Sequence, residues 1–143
     1  MGLSQDISKW NKLTFRQKKL WLKAAVLLLL VGITLKLLSF STFRKLYLKI
    51  SKNFPLKPVP DAEIPEISWS VESAARVLPL TLLCLPQALT VRYLLSGSDG
   101  IKMHIGVHKD ATDRLQFHAW IEKQGKTIIG ELPTYYQPLW VWD

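Results

Sequence analysis

Residues 101–131 read IKMHIGVHKDATDRLQFHAWIEKQGKTIIGE, and the alternation of apolar and polar side chains in this stretch decides the fold. A two-residue apolar period is typical of β-strands that bury one face. It predicts strands over 101–108, 115–122 and 127–131, joined by a polar turn at 109–114 and a tight turn at Gln124-Gly125. The aromatic tail, residues 132–143, is expected to cover an edge of this sheet or a groove.

The residues before the strands favour helices. Apolar side chains at three- and four-residue spacing predict a helix that Ser68 or Ser70 caps and that Pro79 ends. A second helix is predicted over Cys84–Leu95, with Pro86 in its first turn, where the missing N–H removes no helical bond. Helices followed by hairpin-connected strands indicate the α+β class.

The N-terminal third of the chain is also predicted to be helical. Residues 15–50 have a break near Ser39–Thr42, and Thr14 is placed to cap the first part, with Gln17 close to the capping-box position. The proline-rich stretch 53–65 indicates an extended linker. The resulting division is a basic leucine-rich helical segment (1–52), a proline-rich linker (53–67) and a core (68–143).

Composition and charge limit the possible functions. The chain has 143 residues, 48% of them hydrophobic, which suits one folded domain, and its single cysteine excludes an internal disulfide framework. Residues 1–52 hold eleven basic side chains and one acid, Asp6, whereas residues 53–143 are close to neutral. This split argues against a uniformly basic nucleic-acid-binding domain, and it leaves open a basic arm that meets a membrane surface or an acidic partner.

The segment Trp21–Phe40 is the one candidate for a membrane span. Its uninterrupted apolar run, Ala24–Leu35, is shorter than the roughly 17–25 residues that a span needs, although Lys23 and Lys36 at its ends could snorkel. We favour a long helix that packs on the rest of the protein with its lysines in water. No signal-peptide cleavage site follows the apolar run. The protein is therefore expected in the cytoplasm, and weak association with the inner membrane surface stays open.

Cys84 is the first residue with the character of a catalytic group. It lies at the predicted start of a helix, where free N–H groups and the helix dipole favour a thiolate, the form that attacks a carbonyl. A lone cysteine is more often inert packing, so this position carries little weight without a partner.

His118 supplies that partner. It shares one strand face with Gln116, Trp120 and Glu122, whereas the alternate residues face the core. A hairpin that turns at Gln124-Gly125 places Glu131 opposite His118, where a carboxylate could orient the imidazole. The residues alone therefore favour a Cys84, His118 and Glu131 constellation.

Metal and cofactor sites have little support in the sequence. His104 lies on the polar face of its strand and suits a structural hydrogen bond or a contact behind His118, whereas His108 ends the strand and is expected in solvent. His104, His118 and an acid could together hold a metal, but no short-spaced ligand pair supports this. Glycines stand singly, without a phosphate-loop pattern, so no cofactor is predicted.

Three motifs in order resemble a known family: Cys84-Leu85-Pro86-Gln87-Ala88-Leu89, His104-Ile105-Gly106-Val107 and His118-Ala119-Trp120-Ile121-Glu122. Their order and spacing are similar to those of the transglutaminase-like fold. More narrowly, residues 15–142 resemble the leader peptidases of lasso peptide biosynthesis, the microcin-processing B protein in its split form.

The resemblance implies an α+β fold with a transglutaminase-like, papain-like cysteine protease core and an N-terminal leucine-rich helical extension. It also implies a Cys-His-acid triad that removes the leader from a ribosomally made precursor peptide. Cys84 and His118 match the family's first two members, and Glu131 takes the place of the usual Asp. Asp110 and Asp113, in the preceding loop, are the fallback carboxylates.

Partners follow from the same resemblance. The split form relies on a separate leader-recognition protein and on a cyclase that closes the macrolactam ring, and no nucleic acid is expected.

Two other functions remain open. One is a transglutaminase-like acyltransferase, which would use an amine in place of water, and the other is a non-catalytic, membrane-associated binding module with Cys84 in its core.

Overall fold

A computed structural model describes residues 8, 10–80, 82–130 and 136–142. From Phe15 onwards, the described part of the chain contains four α-helices followed by a four-stranded antiparallel sheet, an α+β arrangement as predicted. The helices are α1 (Phe15–Leu37), α2 (Phe40–Asn53), α3 (Ile64–Val77) and α4 (Cys84–Leu94). The strands are β1 (Ile101–Lys109), β2 (Leu115–Lys123), β3 (Lys126–Ile129) and β4 (Gln137–Trp142).

The start of α1 confirms the predicted capping box. The Thr14 hydroxyl accepts from the Gln17 backbone N–H, and the Gln17 side-chain oxygen accepts from the Thr14 N–H at 2.9 Å. The expected break is also present, because α1 ends at Leu37 and Ser39 caps α2 by accepting from the Thr42 N–H.

One face of α1 packs on α3 and α4. Small residues make this close approach possible, and the buried positions of the helix are Ala24, Ala25, Leu28 and Gly32. By length and composition alone α1 could cross a bilayer, but the same test is passed by the core helix of a soluble protein and by a signal sequence.

The predicted capping of α3 by Ser68 or Ser70 is wrong. The helix begins at Ile64, after a 3₁₀ turn over Asp61–Glu63, and Pro65 lies in its first turn. Proline suits that position because its fixed φ is helical and its missing N–H is not needed there. Both serines are buried inside the helix, so the predicted boundary at residue 68 falls within a continuous element.

The proline-rich connection after α2 is tied to the loop that follows α4. Ser96 Oγ accepts from the Leu56 N–H and Ser98 Oγ accepts from the Val59 N–H, each at 2.9 Å. Gly97 lies between the two serines, and a Cβ there would come within 1.8 Å of the Leu56 carbonyl oxygen. Only glycine allows this approach of the two backbones.

The sheet has the strand order β3-β2-β1-β4. The first two strands match their predicted ranges closely, whereas β3 is shorter than predicted and ends at Ile129. The tail does more than cover an edge, because residues of β4 pair antiparallel with β1 and form the fourth strand. Pro138 is tolerated since β4 is an edge strand.

A single hydrophobic cluster joins the helices to one face of the sheet. Its members come from every α-helix and every strand, and they include Leu28 of α1, Phe43 of α2, Val71 of α3, Leu89 of α4, Met103 of β1, Ile121 of β2, Ile129 of β3 and Trp142 of β4. The N-terminal helices therefore share the core that supports the sheet.

Candidate active site

The structure brings Cys84 and His118 to the wall of one cleft, of about 610 Å³. Cys84 is the first residue of α4, and His118 lies in the middle of β2. The remaining walls include Glu72 and Arg76 of α3 and the end of β3 near Ile128. A helix start and a neighbouring strand thus place a thiol and an imidazole in the same solvent-accessible space.

The start of α4 leaves its backbone donors without a capping side chain. Leu83 is the N-cap residue, in extended conformation, and it has no side-chain cap. The first N–H groups of a helix have no intrahelical acceptor, so they form an anion-binding environment around Cys84. Gln87 also lines the cleft, and its side-chain Nε2 donates to the Leu82 carbonyl at 2.8 Å.

The His118 ring has a defined hydrogen bond. Its Nε2 lies 2.9 Å from the Gly130 carbonyl oxygen, which also belongs to the cleft. A carbonyl can only accept, so Nε2 carries the proton and Nδ1 is the basic nitrogen of the neutral ring. This tautomer suits a group that must take a proton from a thiol.

Gly130 is a site residue that the sequence reasoning missed. Its φ is +79°, and a Cβ at this position would meet the Ala119 carbonyl oxygen at 2.6 Å. The backbone therefore turns at Gly130 directly against β2, which aims its carbonyl at His118. The sequence feature that could have indicated Gly130 is its position near the end of a predicted strand, because an isolated glycine there often adopts a positive φ.

The hairpin register predicted from the turn at Gln124-Gly125 holds for two residue pairs and then shifts by one residue. Lys123–Lys126 and Glu122–Thr127 pair as predicted, but an irregularity shifts the next pair to Ile121–Ile129, where the pairing ends. An extra residue in one strand moves every later position by one. Glu131 itself lies outside the described residues.

A row of rings supports the side of His118 that faces β1. The Trp120 ring stacks on His118 with centroids 6.2 Å apart and on His104 with centroids 5.1 Å apart. Trp120 is buried and donates from Nε1 to Glu122 at 2.9 Å. Space for the indole depends on Gly106, where a Cβ would lie within 2.8 Å of the Trp120 ring.

The other two histidines lie outside the cleft. His104 Nε2 lies 3.3 Å from a Glu122 carboxylate oxygen, and the His104 ring stacks on Trp120. The His108 ring packs against Tyr136, at 5.4 Å between centroids. Within the described ranges, no group of three or more His, Cys, Asp or Glu side chains is arranged to hold a metal ion.

The fallback carboxylates belong to the β1–β2 turn. Asp110 accepts hydrogen bonds from the Thr112 hydroxyl, the Thr112 N–H and the Arg114 N–H, which lower its pKa to about 2 together with the Gln116 side chain. Asp113 has a positive φ and lies 3.8 Å from Lys109. Neither carboxylate is among the residues that line the cleft.

Comparison with known proteins adds one finding. A family model described as the transglutaminase-like superfamily matches residues 27–141, a range that contains both Cys84 and His118. Searches of curated proteins and of solved structures give no match.

Proposed function

The chain belongs to the transglutaminase-like superfamily, and from that premise we propose that it is a cysteine peptidase that removes the leader of a lasso precursor peptide. The superfamily includes cysteine proteases and acyltransferases, both of which use a cysteine-type mechanism. The peptidase and its lasso substrate rest on the resemblance of the three sequence motifs.

One observation carries the proposal: Cys84 and His118 line the same cleft, and a carbonyl holds the imidazole in the tautomer that can accept a proton. A nucleophile, a base beside it and a group that orients the base are the parts that thiol acyl transfer needs. The open N-terminus of α4 supplies backbone donors beside the sulfur.

In the first step, His118 Nδ1 takes the thiol proton and the Cys84 sulfur attacks the scissile carbonyl at the end of the leader. The new S–C bond forms as the carbonyl π electrons move to oxygen, and the Cys84 backbone N–H stabilises that oxyanion. Collapse of the adduct breaks the C–N bond, and the His118 imidazolium protonates the leaving amine.

In the second step, water hydrolyses the thioester. His118 accepts a proton from the water, the oxygen bonds to the acyl carbon, and the C–S bond breaks. The His118 imidazolium returns its proton to the sulfur, which restores the Cys84 thiol, and the leader leaves with a new carboxyl group. The Gly130 carbonyl accepts from Nε2–H and keeps the imidazole oriented through both steps, which is the position that a triad acid would take. Glu131, the acid that the motif resemblance assigns to the triad, follows Gly130 directly in the chain.

This function implies partners in the cytoplasm. A separate recognition protein would deliver the leader, and a cyclase would close the macrolactam ring on the released core peptide. No cofactor enters the proposed chemistry, because the thiol and imidazole supply both the nucleophile and the acid–base group.

Cys84→Ala tests the mechanism directly. With precursor peptide and the recognition protein, the parent should release free leader and core peptide, each with its calculated mass, whereas the variant should release neither. Circular dichroism of the variant should match the parent, because Cys84 is only partly buried. Normal processing by Cys84→Ala would refute the proposal.

Mass spectrometry also separates the two alternatives. With an added primary amine, an acyltransferase would give an amide of the leader. Its mass would exceed that of the free leader by the mass of the amine minus that of water, and this result would reassign the function. A non-catalytic binding module would process nothing, and Cys84 would react with an alkylating agent no faster than a free cysteine at the same pH.

A further inference from the structure

An exposed apolar stripe runs along α1 on the side away from the core. We define it by five side chains that are 44–78% exposed: Leu22, Val26, Leu30, Ile33 and Leu37. Their three- and four-residue spacing places them on one helix face. Only 22% of the most apolar part of this helix is buried, so within the part of the chain that the structure describes the stripe is an extended surface with little packing against it.

The apolar surface continues onto α2. A shallow groove of about 190 Å³ lies between the two helices, lined by Leu30 and Val31 of α1 and by Leu46 and Ile50 of α2. Leu46 and Ile50 are themselves about 40% exposed. The stripe and the groove form one face, which we call the α1–α2 face.

Basic side chains border this face without acidic neighbours in the sequence. Between Asp6 and Asp61 the chain contains twelve lysines and arginines and no acid. Lys19, Lys23 and Lys36 of α1 are exposed, as are Lys45 and Lys49 of α2. Among the ion pairs of the described residues, none involves these five lysines.

From apolar side chains and uncompensated positive charge on one face, we propose that the α1–α2 face docks on an anionic lipid surface. Such a surface offers phosphate headgroups to the lysines and acyl chains to the stripe. Phe43 and Tyr47 hold α2 in the core, which leaves Leu46 and Ile50 exposed, with Lys45 and Lys49 next to them in the chain and also exposed.

Two other occupants fit the surface less well. A second copy would place two strongly basic faces against each other, which is electrostatically unfavourable. A transmembrane span would require α1 to leave the core, although Ala24 and Leu28 are fully buried against it. The helix is therefore expected to lie on the bilayer, with one face in the protein and the other in lipid.

Vesicle co-sedimentation tests this with the full-length protein. We expect the parent to sediment with vesicles of phosphatidylcholine and phosphatidylglycerol, to bind phosphatidylcholine alone much more weakly, and to be released by salt. Leu30→Glu should lower the partition coefficient roughly ten-fold or more, because a buried leucine contributes that much. Leu115→Glu, an equally exposed leucine on the sheet, is the matched control and should bind like the parent.

Charge is tested separately. Lys45→Gln with Lys49→Gln should lower the partition coefficient roughly five-fold for each lysine. Lys102→Gln with Lys126→Gln removes the same charge from the strands and should have a smaller effect. Circular dichroism confirms that each variant is folded, and leader cleavage without lipid should be unchanged in Leu30→Glu, which keeps this test separate from that of the peptidase.

Four results would overturn the proposal. The first is no sedimentation of the parent with anionic vesicles, and the second is equal loss of binding in Leu30→Glu and Leu115→Glu. The third is a lipid-free dimer that Leu30→Glu dissociates, which would identify the face as a contact between copies. The fourth is membrane-bound protein that only detergent releases, which would identify α1 as a span.

Discussion

At the residue scale, the orientation of His118 rests on one backbone carbonyl. The bond from Nε2 to Gly130 selects the tautomer, and the stacked Trp120 ring limits rotation of the imidazole. Ring orientation matters because proton transfer needs the basic nitrogen within hydrogen-bond reach of the thiol. The cysteine alone would not distinguish a reactive site from buried packing.

Replacement of His118 should therefore remove the acid–base step without unfolding the protein. We expect His118→Gln to lower kcat for leader cleavage roughly 100- to 10,000-fold. Steady-state kinetics with purified precursor checks this. His108 does not line the cleft, although its ring and that of His118 both pack on Tyr136, so His108→Gln should keep near-parental kcat. Equal losses in the two variants would contradict the assignment.

Asp110 gives a prediction about pH and stability. Its pKa is lowered from 3.8 to about 2 in the folded protein, so its ionised form stabilises the fold above the unfolded value near 4. That contribution is lost as the pH falls towards 2. Asp110→Asn should be less stable than the parent at pH 7, and the difference should shrink between about pH 4 and pH 2.

Urea unfolding at several pH values measures the effect of Asp110→Asn. Asp113→Asn is the control in the same turn, because the Asp113 side chain is 88% exposed and its ion pair with Lys109 is long, at 3.8 Å. A pH-independent difference between Asp110→Asn and the parent would show that the carboxylate charge is not the cause.

At the element scale, the end of β3 connects the sheet to the cleft. The bulged pairing near Ile121 ends the ladder, and Gly130 then passes so close to Ala119 that no side chain fits. Bulges commonly redirect the chain next to functional sites. Here the redirected backbone carries the carbonyl that holds His118.

Gly130→Ala should therefore affect both stability and catalysis. The added Cβ would clash with the Ala119 carbonyl, so the Gly130 carbonyl must move away from His118. We expect a fall in kcat together with a destabilisation of at least about 1–2 kcal/mol from the positive φ alone. Kinetics and urea unfolding provide the two measurements.

Gly125→Ala is the matched control, because Gly125 has nearly the same φ, +77°, but open space around its Cβ position. Gly125→Ala should lower the free energy of unfolding by a similar amount, because of the positive φ, and leave kcat unchanged. A loss of kcat in Gly125→Ala equal to that in Gly130→Ala would show that hairpin stability, rather than the position of the carbonyl, governs activity.

At the scale of the whole molecule, the N-terminal helices and the sheet share one core. Leu28 and Phe43 belong to the same cluster as Met103 and Trp142, and Tyr47 of α2 donates to the Leu89 carbonyl of α4 at 2.6 Å. Burial raises the pKa of Tyr47 to about 12, which keeps its phenol protonated and able to donate. The helical segment thus completes the support of the site.

Removal of residues 1–52 should accordingly unfold the rest. The 53–143 fragment would expose the apolar surfaces of α3 and α4 that α1 covers. We expect the fragment to lack cooperative unfolding in urea, whereas the full chain should unfold in one transition by both tryptophan fluorescence and circular dichroism. A fragment with its own sharp transition would show that the core from 53 onwards folds independently.

Local patterns in the sequence determined much of this protein. Apolar alternation identified the first two strands, Pro86 suited the first turn of α4, and the Thr14 and Ser39 regions marked the starts of α1 and α2, because caps and alternation depend on neighbouring residues. The family motifs likewise selected Cys84 and His118, which the structure brings to one cleft.

Tertiary structure decided the features that depend on distant residues. The pairing of β4 with β1, the register shift near Ile121 and the start of α3 at Ile64 all follow from contacts between separated segments. The hydrogen bond from His118 to the Gly130 carbonyl also depends on the tertiary structure. Every residue has a carbonyl, so the sequence cannot single out this one, and the irregular backbone after Ile121 directs it at His118. Sequence determined which groups are present, and the folded backbone determined which of them meet.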